Sequence, residues 1–163
     1  MKRSIIILIV FSFTTAGISQ TKLPSIVIKT TDGEEIRLSD FSSLKKPLII
    51  SFWATYCNPC LQEFEAVADL YNEWKKEVDF EFIAVSIDDS RSSGKVKSFV
   101  SGRGWPFIVL IDENQDIKRA MNVTDIPFYF VFDRNGKYVY KHSGYLPGDE
   151  HLMLKELKKA LNE

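Results

Sequence analysis

Six consecutive residues, Leu48-Ile49-Ile50-Ser51-Phe52-Trp53, form an apolar run interrupted by one serine. A strand with one wet face alternates apolar and polar residues. The lack of alternation here predicts a strand buried on both faces. Such a strand needs packed layers above and below it, which confines the chain to a sheet covered by helices. The next segment supplies one of those helices. From Pro59 to Lys76, the residues Leu61, Phe64, Val67, Ala68, Tyr71 and Trp74 recur at three- and four-residue intervals. Pro59 suits the first helical turn, where a missing N–H costs nothing.

The remaining segments extend this plan. Ile26–Lys29 and Glu35–Leu38 flank Asp32-Gly33, a hairpin signal. Phe80–Ile87 and Phe107–Ile111 read as strands, Ser92–Val100 and Gln115–Met121 as short helices, with Gly102 ending the first. Phe128–Phe132 sets Phe128, Phe130 and Phe132 on one face, and Asn135-Gly136 turns the chain into Lys137–His142. Asp149 is expected to cap a last helix, with Leu154, Leu157 and Leu161 inside and Lys155, Lys158 and Lys159 outside. The order β-β, β-α-β-α-β-α, β-β-α predicts one α/β domain whose mixed central sheet carries helices on both faces.

The N-terminal end has a different character. Lys2 and Arg3 precede the apolar run Ile5–Phe11, which fades into the small residues Ala16, Gly17 and Ser19. This is the pattern of a secretory signal peptide, read over residues 1–19 and cut after Ser19, with the domain in residues 20–163. A buried strand or an uncleaved anchor are the alternatives. The run is short of the about 20 residues a bilayer span needs, so the cut chain is expected not to span a membrane. No cysteine follows the run to carry a lipid. Two basic residues leave with the segment, taking the formal net charge from −1 to −3. That balance gives no electrostatic reason to expect a nucleic-acid partner. Export places both cysteines where disulfides form and persist.

Those two cysteines, Cys57 and Cys60, stand at the junction of the buried strand and the long helix, around Asn58 and Pro59. With the helix starting near Asn58, the Cys57 sulfur faces unsatisfied N–H groups and the positive end of the dipole. Both lower its pKa and favour the nucleophilic thiolate. Cys60, three residues on, shares a helix face with it and can attack a mixed disulfide formed on Cys57. Pro59 limits the geometries the pair can sample. A purely structural bridge is the plainer alternative, though so short a loop removes only about 2 kcal/mol of chain entropy. Half a zinc site would need His142 and His151, both distant in sequence. Haem attachment needs His after the second cysteine, where Leu61 stands.

The segment Phe52-Trp53-Ala54-Thr55-Tyr56-Cys57-Asn58-Pro59-Cys60 resembles the active site of thioredoxin-like proteins. It is most similar to their exported branch, which includes TlpA, ResA and the cytochrome c maturation thioredoxins. The resemblance covers about residues 24–162. It implies a thioredoxin fold with an N-terminal β-hairpin and a helix-strand insert between Ile87 and Asn122. Val123-Thr124-Asp125-Ile126-Pro127 matches the family's cis-proline loop, which implies that Pro127 sits beside Cys57 and that the Ile126 backbone pairs with a client strand. From the residues alone, Pro127 is a proline opening a strand. Glu63 resembles the family's acid near the dithiol, assisting proton transfer for Cys60. Its plainer reading is an acid in the first helical turn, favourable to the dipole. Cytosolic thioredoxins bury an aspartate where Ser51 stands here, and many relatives have tryptophan where Tyr56 stands. The resemblance puts Trp53 at the rim of the site, while spacing makes it the last inward residue of its strand. Asp88 and Asp89 read as solvated surface.

The expected activity is thiol–disulfide exchange in a periplasmic or other extracytoplasmic space, with no cofactor or metal beyond the dithiol. Cys57, Cys60 and Glu63 carry the chemistry. Trp53, Tyr56, Pro59, Ile126 and Pro127 meet the client. The branch resembled mostly reduces client proteins and is recharged by a membrane thiol-electron carrier. The alternatives are a Cu(I)-binding metallochaperone on the same sulfurs and a thiol peroxidase. No Met or His flanks the cysteines to complete a soft copper site, and the peroxidase pattern before Cys57 is absent.

Overall fold

A computed structural model describes residues 22–161. The signal segment read over residues 1–19 lies outside them. In chain order the described elements are β1 (Val27–Thr30), β2 (Glu35–Arg37), β3 (Leu48–Trp53), α1 (Asn58–Glu77), β4 (Glu81–Ser86), α2 (Val96–Ser101), β5 (Ile108–Ile111), α3 (Asp116–Ala120), β6 (Phe128–Phe132), β7 (Tyr138–Ser143) and α4 (Asp149–Ala160). The strands form one sheet in the order β2-β1-β5-β4-β3-β6-β7. β3, β4 and β5 run parallel. β6 pairs antiparallel with β3, and hairpins close both edges. This is the mixed sheet expected, with the insert strand β5 joining the N-terminal hairpin to the core.

All six residues of β3 are 0% exposed, so both faces of the sheet's centre are covered. One cover is α1, which buries Cys60, Glu63, Phe64, Val67, Tyr71 and Trp74 along a single stripe. The periodicity located this stripe except at its upper end, where Cys60 and Glu63 turn inward and Leu61 stays half-buried. Phe64 is the hub of an aromatic cluster, edge-on to Trp53, Phe82, Trp105 and Phe107 with ring centroids 5.1–5.7 Å apart. These edge-to-face pairs add to the burial that clamps helix to sheet. α2 reaches the same cluster through Phe99.

Local structure adds one element and corrects two expectations. Leu38–Leu44, between the expected strands, is a 3-10 turn, held by Ser42 Oγ donating to the Ser39 carbonyl and Ser43 Oγ to that of Asp40. It packs under the β6–β7 turn so closely that a Cβ on Gly136 (φ +74°) would come within 2.8 Å of Ser42 Cβ. Gly148 (φ +107°), not Asp149, occupies the N-cap of α4. The Asp149 carboxylate instead accepts the Leu146 N–H at 2.8 Å, which turns it away from its own helix. The buried stripe of α4 is also rotated from the one expected, with Met153, Glu156, Leu157 and Ala160 inside and Leu154 and Leu161 half-buried. No helix among the described residues is long and apolar enough to cross a membrane.

Phe82 is fully buried between Phe64 and Phe107, 5.7 and 4.7 Å away. Phe82→Ala is expected to cost about 3–5 kcal/mol, because tightly packed rings on two elements cannot collapse into the gap. Urea unfolding of the oxidised protein checks this. A loss below about 1 kcal/mol would show that the cluster repacks freely.

Candidate active site

The pairing register gathers the site at one end of the sheet. Trp53, the last residue of β3, lies opposite Ser86 at the end of β4. Phe52 lies opposite Phe128, so Pro127 arrives beside the same end. The chain leaves β3 through Ala54-Thr55-Tyr56 and enters α1 at Cys57, whose N–H donates to the Ala54 carbonyl at 3.0 Å. Cys57 is the N-cap of α1, and its sulfur accepts the Cys60 N–H at 3.3 Å. A sulfur in the capping position is aimed at the helix's unsatisfied donors, the environment that stabilises a thiolate. The two sulfurs are joined in a disulfide, with Cα atoms 5.3 Å apart. Cys57 is 7% exposed and Cys60 0%. Only Cys57 offers surface to an incoming reactant.

Glu63 follows Cys60 by three residues on the inward face of α1 and is 1% exposed. It lies beyond the first turn, so the plain dipole reading does not hold. Ser51 Oγ donates to its Oε1 at 3.1 Å. Its Oε2 is buried with no partner among the described residues. Burial pushes the carboxyl up to about 8. The Ser51 hydrogen bond opposes that rise, and the Asp149 carboxylate adds to it. Where the resemblance sets an aspartate on the strand in cytosolic thioredoxins, Ser51 instead contributes a hydroxyl that holds a buried acid carried by the helix.

The residues expected to meet a client divide by exposure. Tyr56 is 69% exposed, Pro59 is exposed and Ile126 half-buried, while Pro127 is buried. The Ile126–Pro127 peptide is cis. The Pro127 carbonyl accepts the Gly144 N–H at 2.8 Å, which ties the loop after β7 to this end; Leu146 in that loop is 72% exposed. Trp53 is 0% exposed, packed on Phe64 and Trp105. It stands behind the site rather than at its rim, as strand spacing indicated. Asp88 is also no surface residue: it is 0% exposed and accepts both the N–H and the hydroxyl of Thr55. Tyr129, which faces Ser51 across the β3–β6 ladder, has its hydroxyl buried. Neither residue had a sequence signal beyond lying near the ends of apolar strands.

A capped, half-hidden disulfide at the C-terminal end of a central strand, beside a cis-proline, defines a thioredoxin-fold dithiol protein. Comparisons agree with that class. The Redoxin family model matches residues 18–161, and the chain belongs to that family. It is 32% identical over 116 residues to the thiol-disulfide oxidoreductase ResA of Bacillus subtilis, covering 71% of this chain and 62% of the relative. It is 32% identical over 127 residues to ResA of Geobacillus kaustophilus, covering 78% and 70%. The solution structure of an uncharacterised thioredoxin-like protein from Porphyromonas gingivalis superposes with a TM-score of 0.77 at 42% identity, covering 88% of this chain and 94% of that one.

The raised carboxyl of Glu63 has a stability consequence. Below the unfolded value of 4.5 both states are protonated and its contribution is complete; as pH rises towards 8 the unfolded chain ionises first and stability falls. The loss is on the order of 3–5 kcal/mol. Glu63→Gln keeps the shape and removes the titration, so it is expected to flatten that slope. Urea unfolding of both oxidised proteins at about pH 5 and about pH 8.5 measures it. Equal slopes would show that Glu63 ionises without penalty.

Proposed function

We propose that this chain is an exported thiol–disulfide oxidoreductase that reduces disulfides in client proteins outside the cytoplasm. The observation that carries this reading is the asymmetry of the sulfur pair. One sulfur caps α1 at the surface, and the other is buried on the same helix face as a carboxyl tuned towards neutral pH. In the reduced protein the Cys57 thiolate attacks one sulfur of the client disulfide. The client S–S bond breaks, and the departing client thiolate takes a proton. The ionised Glu63 carboxylate then accepts the Cys60 proton, and the Cys60 thiolate attacks Cys57 Sγ. This releases the second client thiolate and leaves the Cys57–Cys60 disulfide; two electrons have passed to the client. When a reductant attacks Cys57 in turn, the protonated Glu63 can return its proton to the leaving Cys60 sulfur, a role suited to a carboxyl near 8.

In this reading the dithiol is the redox group, and Tyr56, Pro59 and Ile126 are the surface the client meets. The N-terminal segment, residues 1–19, acts as the export signal, consistent with a family match that begins at residue 18. A membrane thiol-electron carrier resupplies the electrons, and apocytochrome c thiols are one class of client. The direction depends on the potential of the pair rather than on the fold.

Cys60→Ser is expected to trap clients on Cys57 as mixed disulfides, because the resolving attack is lost. Expression with the N-terminal segment intact, followed by non-reducing electrophoresis, displays the adducts. Absence of adducts, together with an alkylation profile for Cys57 like that of a free thiol in solution, would sink the reading.

A further inference from the structure

Asp88 lies two residues past the end of β4, fully buried. One carboxylate oxygen accepts the Thr55 N–H at 2.9 Å and the Ser86 hydroxyl at 2.8 Å; the other accepts the Thr55 hydroxyl at 2.6 Å. Its own N–H donates to Ser86 Oγ at 3.1 Å. We propose that Asp88 is a positioning residue for the attacking sulfur: by gripping both polar groups of Thr55, it fixes the short segment that delivers Cys57 to the cap of α1. This rests on the reading of Cys57 as the nucleophile.

The segment needs such a grip. Between Thr55 and Cys57 stands Tyr56, whose side chain is 69% exposed and gives little packing to hold the backbone. The Cys57 N–H to Ala54 carbonyl bond closes the turn locally, but Asp88 fastens it to the neighbouring strand. A neighbouring bond from the Ile87 N–H to the Trp53 carbonyl, 2.8 Å, joins the same two strand ends. The Cys57 sulfur meets the Cys60 N–H at 3.3 Å, a contact that a small displacement of the segment would break. Reactive groups must be held to within about 0.5 Å for full effect. A carboxylate suits the task because it accepts on both oxygens without offering a competing donor. Releasing the grip lets Cys57 drift from the cap, which lifts its thiol pKa and destabilises the reduced form.

The test uses Asp88→Ala, Asp88→Asn, Thr55→Val and, as a control, Asp133→Ala. Asp133 is another buried aspartate, 5% exposed, that holds the N–H groups of Asn135 and Lys137 in the β6–β7 turn. The Cys57 alkylation rate is followed against pH in a Cys60→Ser background, and the reduction potential is measured in the two-cysteine proteins. Asp88→Ala is expected to lose roughly tenfold in thiolate reactivity at neutral pH and to shift the potential in the reducing direction. Thr55→Val, which keeps the N–H bond and loses the hydroxyl, is expected to fall between it and wild type and carries the test should Asp88→Ala not fold. Asp88→Asn, whose amide can still accept the Thr55 N–H and donate to its hydroxyl, is expected to restore most of the reactivity. Wild-type profiles and potentials in both Asp88→Ala and Thr55→Val, or an equal change in Asp133→Ala, overturn the proposal. A disulfide-reduction assay of the wild type against Cys57→Ser tests the oxidoreductase reading separately, since the alkylation profile needs no client.

Discussion

The double-sided burial of β3 is the constraint from which the rest of the molecule follows. Six residues at zero exposure demand a helix layer on each face and a paired strand on each side. The strand's C-terminal end is then the one point where a chain buried on all sides must come out. Emerging there, it turns at once into α1, so the helix N-terminus, the end of β4 and the start of β6 converge around it. A dithiol placed at that exit inherits a helix cap, a neighbouring acid and a proline-bearing loop without further invention. Brought together by packing that serves stability first, these are the parts that disulfide exchange requires.

Carboxylates buried in this domain separate by how well they are solvated from within. Asp88 accepts three donors, Asp112 takes the N–H groups of Ile117 and Lys118, and Asp133 those of Asn135 and Lys137. Each exchanges water for a set of fixed dipoles and serves as a staple for a turn. Glu63 receives a single hydroxyl and keeps one oxygen bare. An acid satisfied so poorly cannot hold its charge cheaply. Burial raises Asp112 as well, against the pull of its N–H donors, but Glu63, with one oxygen bare, is the acid pushed up to about 8 and able to trade a proton near neutral pH.

Legibility in the sequence followed the physics of each element. β3 and β6 were bounded to the residue because runs of apolar and aromatic side chains have sharp edges. α1 was placed to within a residue at each end because twenty residues give the helical period room to show itself. The dithiol was legible because its chemistry depends on residue type and spacing. The 3-10 turn at Leu38–Leu44 was not, since Leu38, Phe41 and Leu44 give only three apolar residues at a three-residue spacing and its side-chain bonds run between local serines and carbonyls. Asp88 was misread as surface because a buried aspartate is betrayed only by its donors, and Thr55 is 33 residues away in the chain. The cap of α4 was misplaced for a related reason: aspartate is a good cap in general, but here a neighbouring loop claims its oxygens.

The Ser51–Glu63 contact brings a mechanical consequence. Where a strand supplies the acid, the distance from acid to resolving sulfur spans the interface between sheet and helix, and any slippage of one layer over the other changes it. Here Cys60 and Glu63 are carried on one rigid helical turn, and the strand contributes only a hydroxyl able to rotate and follow. The carboxyl and the Cys60 sulfur therefore belong to a single element. The spacing between these two groups is set within α1 itself, while the aromatic contacts of Phe64 set how that helix lies on the sheet, so the two are governed by different parts of the structure.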